Sequence, residues 1–127
     1  LCFIEKDTML LRYSGANNSV YIVNNGTLTE LKAPRNPIGI YLNEISFVNQ
    51  MVEISAGSVL YMFSDGYSDQ IGLEGKKFLS KNFKTLLSEI SNLPMEEIKE
   101  TLHRTHLEWR RDEEQVDDIL VAGIRFS

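Results

Sequence analysis

Two segments of this chain constrain the fold more than any other. Val59-Leu60-Tyr61-Met62-Phe63 and Ile119-Leu120-Val121-Ala122 read as strands, yet polar and apolar residues do not alternate in them. Successive side chains on a strand point to opposite faces. An unbroken apolar run therefore asks for burial on both faces. A single sheet with one open face does not supply that, whereas two stacked sheets with helices packed outside do. The expected fold class is α+β: a β-sandwich with helices on its outer faces and these two strands central.

The rest of the chain fits that plan. Residues 1–64 read as β, with short strands at Cys2–Glu5 and Met9–Tyr13 around the turn Lys6-Asp7-Thr8. Val20–Val23 and Thr27–Leu31 flank Asn24-Asn25-Gly26, and Asn-Gly is the strongest short hairpin signal because a type I′ turn needs positive φ at both central residues. Ala33–Asn43, with Pro34, Pro37 and Gly39, reads as a loop, and Phe47–Ile54 as a strand. From Phe78, the apolar residues Leu79, Phe83, Leu86, Leu87 and Ile90 recur every three or four positions, one helical stripe. Pro94 suits the first turn of a second helix, whose inner face takes Met95, Ile98, Leu102, Thr105 or His106, and Trp109. Ile119–Phe126 closes the chain as a strand.

Length and charge exclude several functions. The 127 residues suit a single domain. No apolar run exceeds five residues, far short of the ~20 of a membrane-spanning helix, so no membrane segment is expected. The net charge of −5 lacks the basic excess of a nucleic-acid surface. One cysteine, Cys2, cannot form an internal disulfide and is expected to be a core residue; a reducing, cytoplasmic setting is the default. The chain opens on Leu1-Cys2-Phe3-Ile4, without an initiator Met or a basic leader, and reads as a domain entered partway.

The chemistry gathers at the ends of the two apolar strands. Asp65-Gly66 follows the first and Asp117-Asp118 precedes the second. If the strands are antiparallel neighbours, the end of one meets the start of the other and the carboxylates converge. Two unit charges ~4 Å apart repel by about 4 kcal/mol at an effective dielectric near 20. A divalent cation relieves this, and oxygen-only ligands suit Mg²⁺ or Mn²⁺. Asp-Gly is also an ordinary turn, and an aspartate before a strand is commonplace, so spacing alone favours two turn aspartates. Alternation along a strand would send Asp117 and Asp118 to opposite sides, leaving one of them a direct ligand. Glu100-x-x-His103 imitates a carboxylate-bridged metal motif, but no second copy exists, and His103 and His106 read as surface or packing residues. Ser64 and Ser68 flank Asp65-Gly66 without a nucleophile elbow around them.

The order of motifs then resembles a known family. Leu11-Arg12-Tyr13-Ser14-Gly15-Ala16-Asn17-Asn18, Pro37-Ile38-Gly39-Ile40, Leu60-Tyr61-Met62-Phe63-Ser64-Asp65-Gly66 and Gln115-Val116-Asp117-Asp118-Ile119 resemble the C-terminal part of a SpoIIE-type phosphatase domain. That is a bacterial branch of the PPM, or protein phosphatase 2C-like, serine/threonine phosphatases. The resemblance covers nearly all of residues 1–127 and implies α-β-β-α layers, incomplete here at the N-terminus. It implies a binuclear Mn²⁺ or Mg²⁺ site between the sheets, with Asp65 and Asp117 as metal ligands and Asp118 where relatives carry Asp or Asn. The reaction implied is hydrolysis of phosphoserine or phosphothreonine by a metal-activated water, with no covalent intermediate. The substrate implied is a phosphorylated signalling protein, such as an anti-sigma antagonist.

Three departures stand out. Gly15-Ala16-Asn17-Asn18 stands where a Gly-His turn is common and Gly57-Ser58 where Gly-Asp is usual, and neither touches the expected ligands; the absence of the family's first acidic motif, an Asp and then an Asp-Gly, does. The 127 residues alone are therefore expected to bind metal weakly and turn over little phosphate, and their open sheet edges invite self-association into a homo-oligomer. The alternative function is a non-catalytic interaction or regulatory module on a vestigial phosphatase fold. A third reading is a plain α+β domain whose acids are turn residues.

Overall fold

The computed structural model describes residues 1–35, 37–39 and 46–127. Seven strands form two antiparallel sheets. Strands β1 (Cys2–Glu5), β2 (Leu10–Tyr13) and β5 (Gln50–Glu53) make one, in the order β1-β2-β5. Strands β3 (Val20–Asn24), β4 (Thr27–Leu31), β6 (Val59–Phe63) and β7 (Val121–Arg125) make the other, in the order β4-β3-β6-β7. The β3–β4 hairpin turns at Asn25 and Gly26, both at positive φ (49° and 76°), as the Asn-Gly signal requires.

Two apolar cores flank the four-stranded sheet. Val20, Ile22, Leu31 and Leu60 meet Leu11, Tyr13 and Ile54 between the sheets. On the opposite face Tyr21, Val23, Val59 and Tyr61 meet the helices α2 (Ser80–Ile90) and α3 (Met95–Arg110) through Phe83, Leu87, Ile98 and Leu102. The helix residues are spaced by four, one stripe on each helix. Arg125 of β7 donates to the backbone carbonyls of Ser91 and Leu93, tying the α2–α3 connection to the sheet.

The sandwich expected from the sequence is present, with three of its four layers among the described residues: sheet, sheet, helices. Nothing described covers the outer face of β1-β2-β5, where Phe3, Arg12 and Met51 stand in register across the sheet and all are exposed. The central strands differ from expectation. β6 is central, but its companion is β3, whose Val20-Tyr21-Ile22-Val23 run is wholly buried. β7 is an edge strand among the described residues, so Leu120 (62% exposed) and Ile124 (42%) remain open to solvent. Its apolar run is longer than its present partners can bury.

Helix boundaries shift as well. Leu79 precedes α2 at φ 74° and is exposed rather than part of the buried stripe. A short helix, α1 (Gly66–Asp69), and a turn of 3-10 helix (Leu73–Gly75) fill what the sequence left unassigned. Within Ala33–Asn43, residues Asn36 and Ile40–Asn43 lie outside the described residues, as do Glu44 and Ile45; the Pro37-Ile38-Gly39-Ile40 motif is thus described only through Gly39. Among the described residues no helix is long and apolar enough to cross a membrane.

Candidate active site

The antiparallel pairing of β6 with β7 brings the two acidic segments together. Phe63 stands opposite Val121, and the ladder extends one step as the Ser64 amide donates to the Leu120 carbonyl at 3.0 Å. The Ser64 hydroxyl then bridges, donating to the Asp118 carbonyl (2.7 Å) and accepting from the Leu120 amide (2.9 Å). Next in line, Gly66 packs on the Asp118 backbone so closely that a Cβ there would clash with the Asp118 carbonyl oxygen. Gly66 is therefore required for approach. Any side chain would push Asp117-Asp118 away from Asp65.

Asp65 heads α1 with its backbone already helical (φ −74°, ψ −14°), and its carbonyl accepts from the Asp69 amide and the Ser68 hydroxyl. Its side chain caps nothing and is exposed. Asp117 and Asp118 are exposed too, and lie in a bend before β7 rather than on the strand, which starts at Val121. The strand alternation expected for them does not apply. The Asp117 carboxylate instead accepts from the Asp118 amide at 2.7 Å. The carboxylates are hard oxygen donors of the kind Mg²⁺ and Mn²⁺ prefer. Among the described residues no three His, Cys, Asp or Glu side chains gather around one point.

A residue the sequence reading missed holds the segment that leads into the bend. Gln70, fully buried after α1, donates to the Glu114 carbonyl at 2.9 Å and meets His106 Nε2 at 3.3 Å through Oε1. Its carbonyl accepts from Trp109 Nε1 at 3.0 Å and from the Phe78 amide. It thus links α1, α3 and the segment leading to Asp117. A polar residue at the end of a four-residue helix carries no sequence signal for this. His106 packs inside, against the Tyr67 ring, and burial lowers its pKa, with Arg110 and His103 adding to the effect. His103 is exposed while His106 is buried, and among the described residues they belong to no group of three possible metal ligands. Cys2 is partly buried on the inner sheet face and burial raises its pKa, a core residue as expected.

Two cavities open nearby. The larger, about 700 Å³, lies between α3 and β7 and is mostly apolar; it includes none of the three aspartates. The smaller, about 620 Å³, is polar and is lined by Asp65, the start of α2 and the segment after β4. Of the three aspartates, Asp65 alone lines the second.

The family model described as Stage II sporulation protein E (SpoIIE) matches residues 1–127. No curated protein sequence matches significantly. Among solved structures, the SiaA-PP2C domain of Pseudomonas aeruginosa is 28% identical with a TM-score of 0.91, covering 99% of this chain and 50% of that one. The phosphatase domain of SpoIIE from Bacillus subtilis, presoaked with Mn, is 17% identical with a TM-score of 0.74, covering 99% and 55%. The serine/threonine phosphatase PstP/Ppp of Mycobacterium tuberculosis is 19% identical with a TM-score of 0.59, covering 98% and 57%. The chain spans about half the length of each of these solved chains.

Proposed function

Because the chain belongs to the SpoIIE family of PP2C-like phosphatase domains, we propose that residues 1–127 are the C-terminal part of one such catalytic domain, acting on phosphoserine or phosphothreonine of a signalling protein. The observation that carries the reading is the contact of Ser64-Asp65-Gly66 with the Asp118 backbone, which unites acids more than 50 residues apart at one sheet end. Asp65 and Asp117 would hold a divalent cation, Mn²⁺ or Mg²⁺, with Asp118 beside them. Such an ion supplies, when bound, an acidified water and neutralisation of phosphoryl charge. The chain's own part is to fix the carboxylates: Ser64 locks the two backbones, Gly66 permits their approach, and Gln70 holds the segment before Asp117. The remaining ligands, and further sheet, would come from the half that the solved relatives have in addition, so the bare 127 residues should turn over little phosphate.

The test is Mn²⁺-dependent release of phosphate from a phosphoserine peptide by the full-length protein. Asp65→Asn and Asp117→Asn should each lower kcat by a hundredfold or more, beyond the ~10–100-fold typical of outer-shell partners. Full turnover by Asp65→Asn would sink the reading. A second reading, a non-catalytic interaction module, draws on the larger apolar cavity between α3 and β7. It predicts no Mn²⁺-induced rise in Tm, whereas a binding site raises it.

A further inference from the structure

The smaller cavity carries charge that hydrolysis alone does not explain. Building on the phosphatase reading, we infer that the cleft shared by Asp65, Lys32, Arg35 and Lys84 is a subsite for acidic residues flanking the phosphorylated side chain of the protein substrate. The chain is acidic overall, at −5, yet this cleft sets three cations against two carboxylates, Glu30 and Asp65. Lys32 and Arg35 follow β4, while Lys84 sits on α2, so the fold alone assembles them.

The cluster is held in place. Lys84 Nζ lies 2.8 Å from Glu30 Oε2 and 5.2 Å from the centre of the Tyr21 ring, an ion pair and a cation–π contact on one head group. The backbone bearing the other two cations is pinned to the β2–β3 loop: the Asn17 amide donates to the Pro34 carbonyl (3.0 Å) and the Ala33 amide to the Ser19 hydroxyl (3.3 Å). Lys32 and Arg35 are exposed on this held segment, available to a partner. Asp65 lines this cavity, so a substrate whose phosphoryl group reaches Asp65 from this side lays adjoining residues in it. About 620 Å³ accommodates a short stretch of peptide. Lysine and arginine in that space select carboxylates through charge-assisted hydrogen bonds, arginine with two at once. An acidic flank is thus favoured over a neutral or basic one.

The experiment uses full-length protein with Mn²⁺ and two phosphoserine peptides, one flanked on both sides by Asp and Glu, the other by Asn and Gln. The wild type should show a KM about tenfold lower for the acidic peptide, a preference that shrinks as salt rises. The double variant Lys32→Gln/Arg35→Gln should lose most of that preference. Both substitutions are on exposed side chains, so the fold should be kept, as circular dichroism would register. Lys99→Gln, an exposed lysine paired with Glu96 on α3, should keep the preference and controls for bulk charge. An unchanged KM ratio in the double variant overturns this inference and leaves the phosphatase reading standing. Absence of Mn²⁺-dependent turnover of either peptide by the wild type overturns both.

Discussion

The two sheets of this protein are built from similar strands and end in different states. β4-β3-β6-β7 is packed on both faces, between the second sheet and the helices, and Val59, Leu60 and Tyr61 are entirely buried. Among the described residues β1-β2-β5 is packed on one face only; Leu11 and Tyr13 point in, while Phe3 (58% exposed) and Met51 (59%) point out. The acids of the candidate site stand at the end of the doubly covered sheet. That placement has a physical reason. Strand ends gripped by two cores hold adjacent backbone segments in fixed register, and a functional site is only as precise as the elements that carry it.

The contrast can be tested most forcefully by truncating one aromatic on each sheet's surroundings. Phe83 is fully buried beneath the four-stranded sheet, 5.3 Å from the Phe63 ring and 4.7 Å from Tyr67. Phe83→Ala should cost about 3–5 kcal/mol in urea unfolding. Phe3→Ala, on the bare face, should stay within about 0.5 kcal/mol. Equal losses would show that the outer face of β1-β2-β5 is covered in solution, which would also reveal self-association.

A finer comparison lies within the covered side. The Tyr67 hydroxyl donates to the Leu102 carbonyl at 2.8 Å, whereas the Tyr61 hydroxyl is buried with no partner among the described residues. Burial raises both phenols, Tyr61 to about 12, so both are neutral at physiological pH. Tyr67→Phe should destabilise by about 1 kcal/mol, and Tyr61→Phe should be neutral or slightly stabilising, since it removes an unpaired buried polar group. A clear loss in Tyr61→Phe would mean that its hydroxyl finds a partner on the cavity side.

The smallest effect is the pH response of the helix layer. His106 has its pKa lowered in the folded state from 6.5, so the unfolded chain takes up the proton first. Stability from this group is complete above about 6.5 and falls as pH drops below it toward the folded value. His106→Gln should flatten the dependence of Tm on pH between 7 and 5, and an unchanged slope would show that the imidazole titrates alike in the folded and unfolded chain.

How much of this could be read beforehand follows from the range of the interactions involved. The Asn25-Gly26 hairpin is local, and two residues specify it. The stripe Phe83, Leu87, Ile90 and the face Ile98, Leu102, His106 follow from helical periodicity. Val59–Phe63 announced burial on both faces by composition alone, as did Val20–Val23, whose identical signal deserved the same weight. The placement of Ile119–Ala122 at an edge was not legible, because a run of apolar residues states what a strand could bury and not what lies beside it. Leu79 escaped its stripe because a left-handed residue precedes the helix, and periodicity cannot see a backbone reversal.

By itself, then, the amino-acid order set the two-sheet plan and the helical faces, since period and residue type act over a few neighbours, while Asp65, Asp117 and Asp118 stood out through the family resemblance rather than through their spacing. Only folding in three dimensions decided that Ser64 joins Asp118, that Gln70 binds α3 to the approach to Asp117, and that Lys32, Arg35 and Lys84 enclose one cleft. Those contacts span 36 to 54 positions, and at such separations it is packing of the two cores, not local preference, that selects which side chains meet.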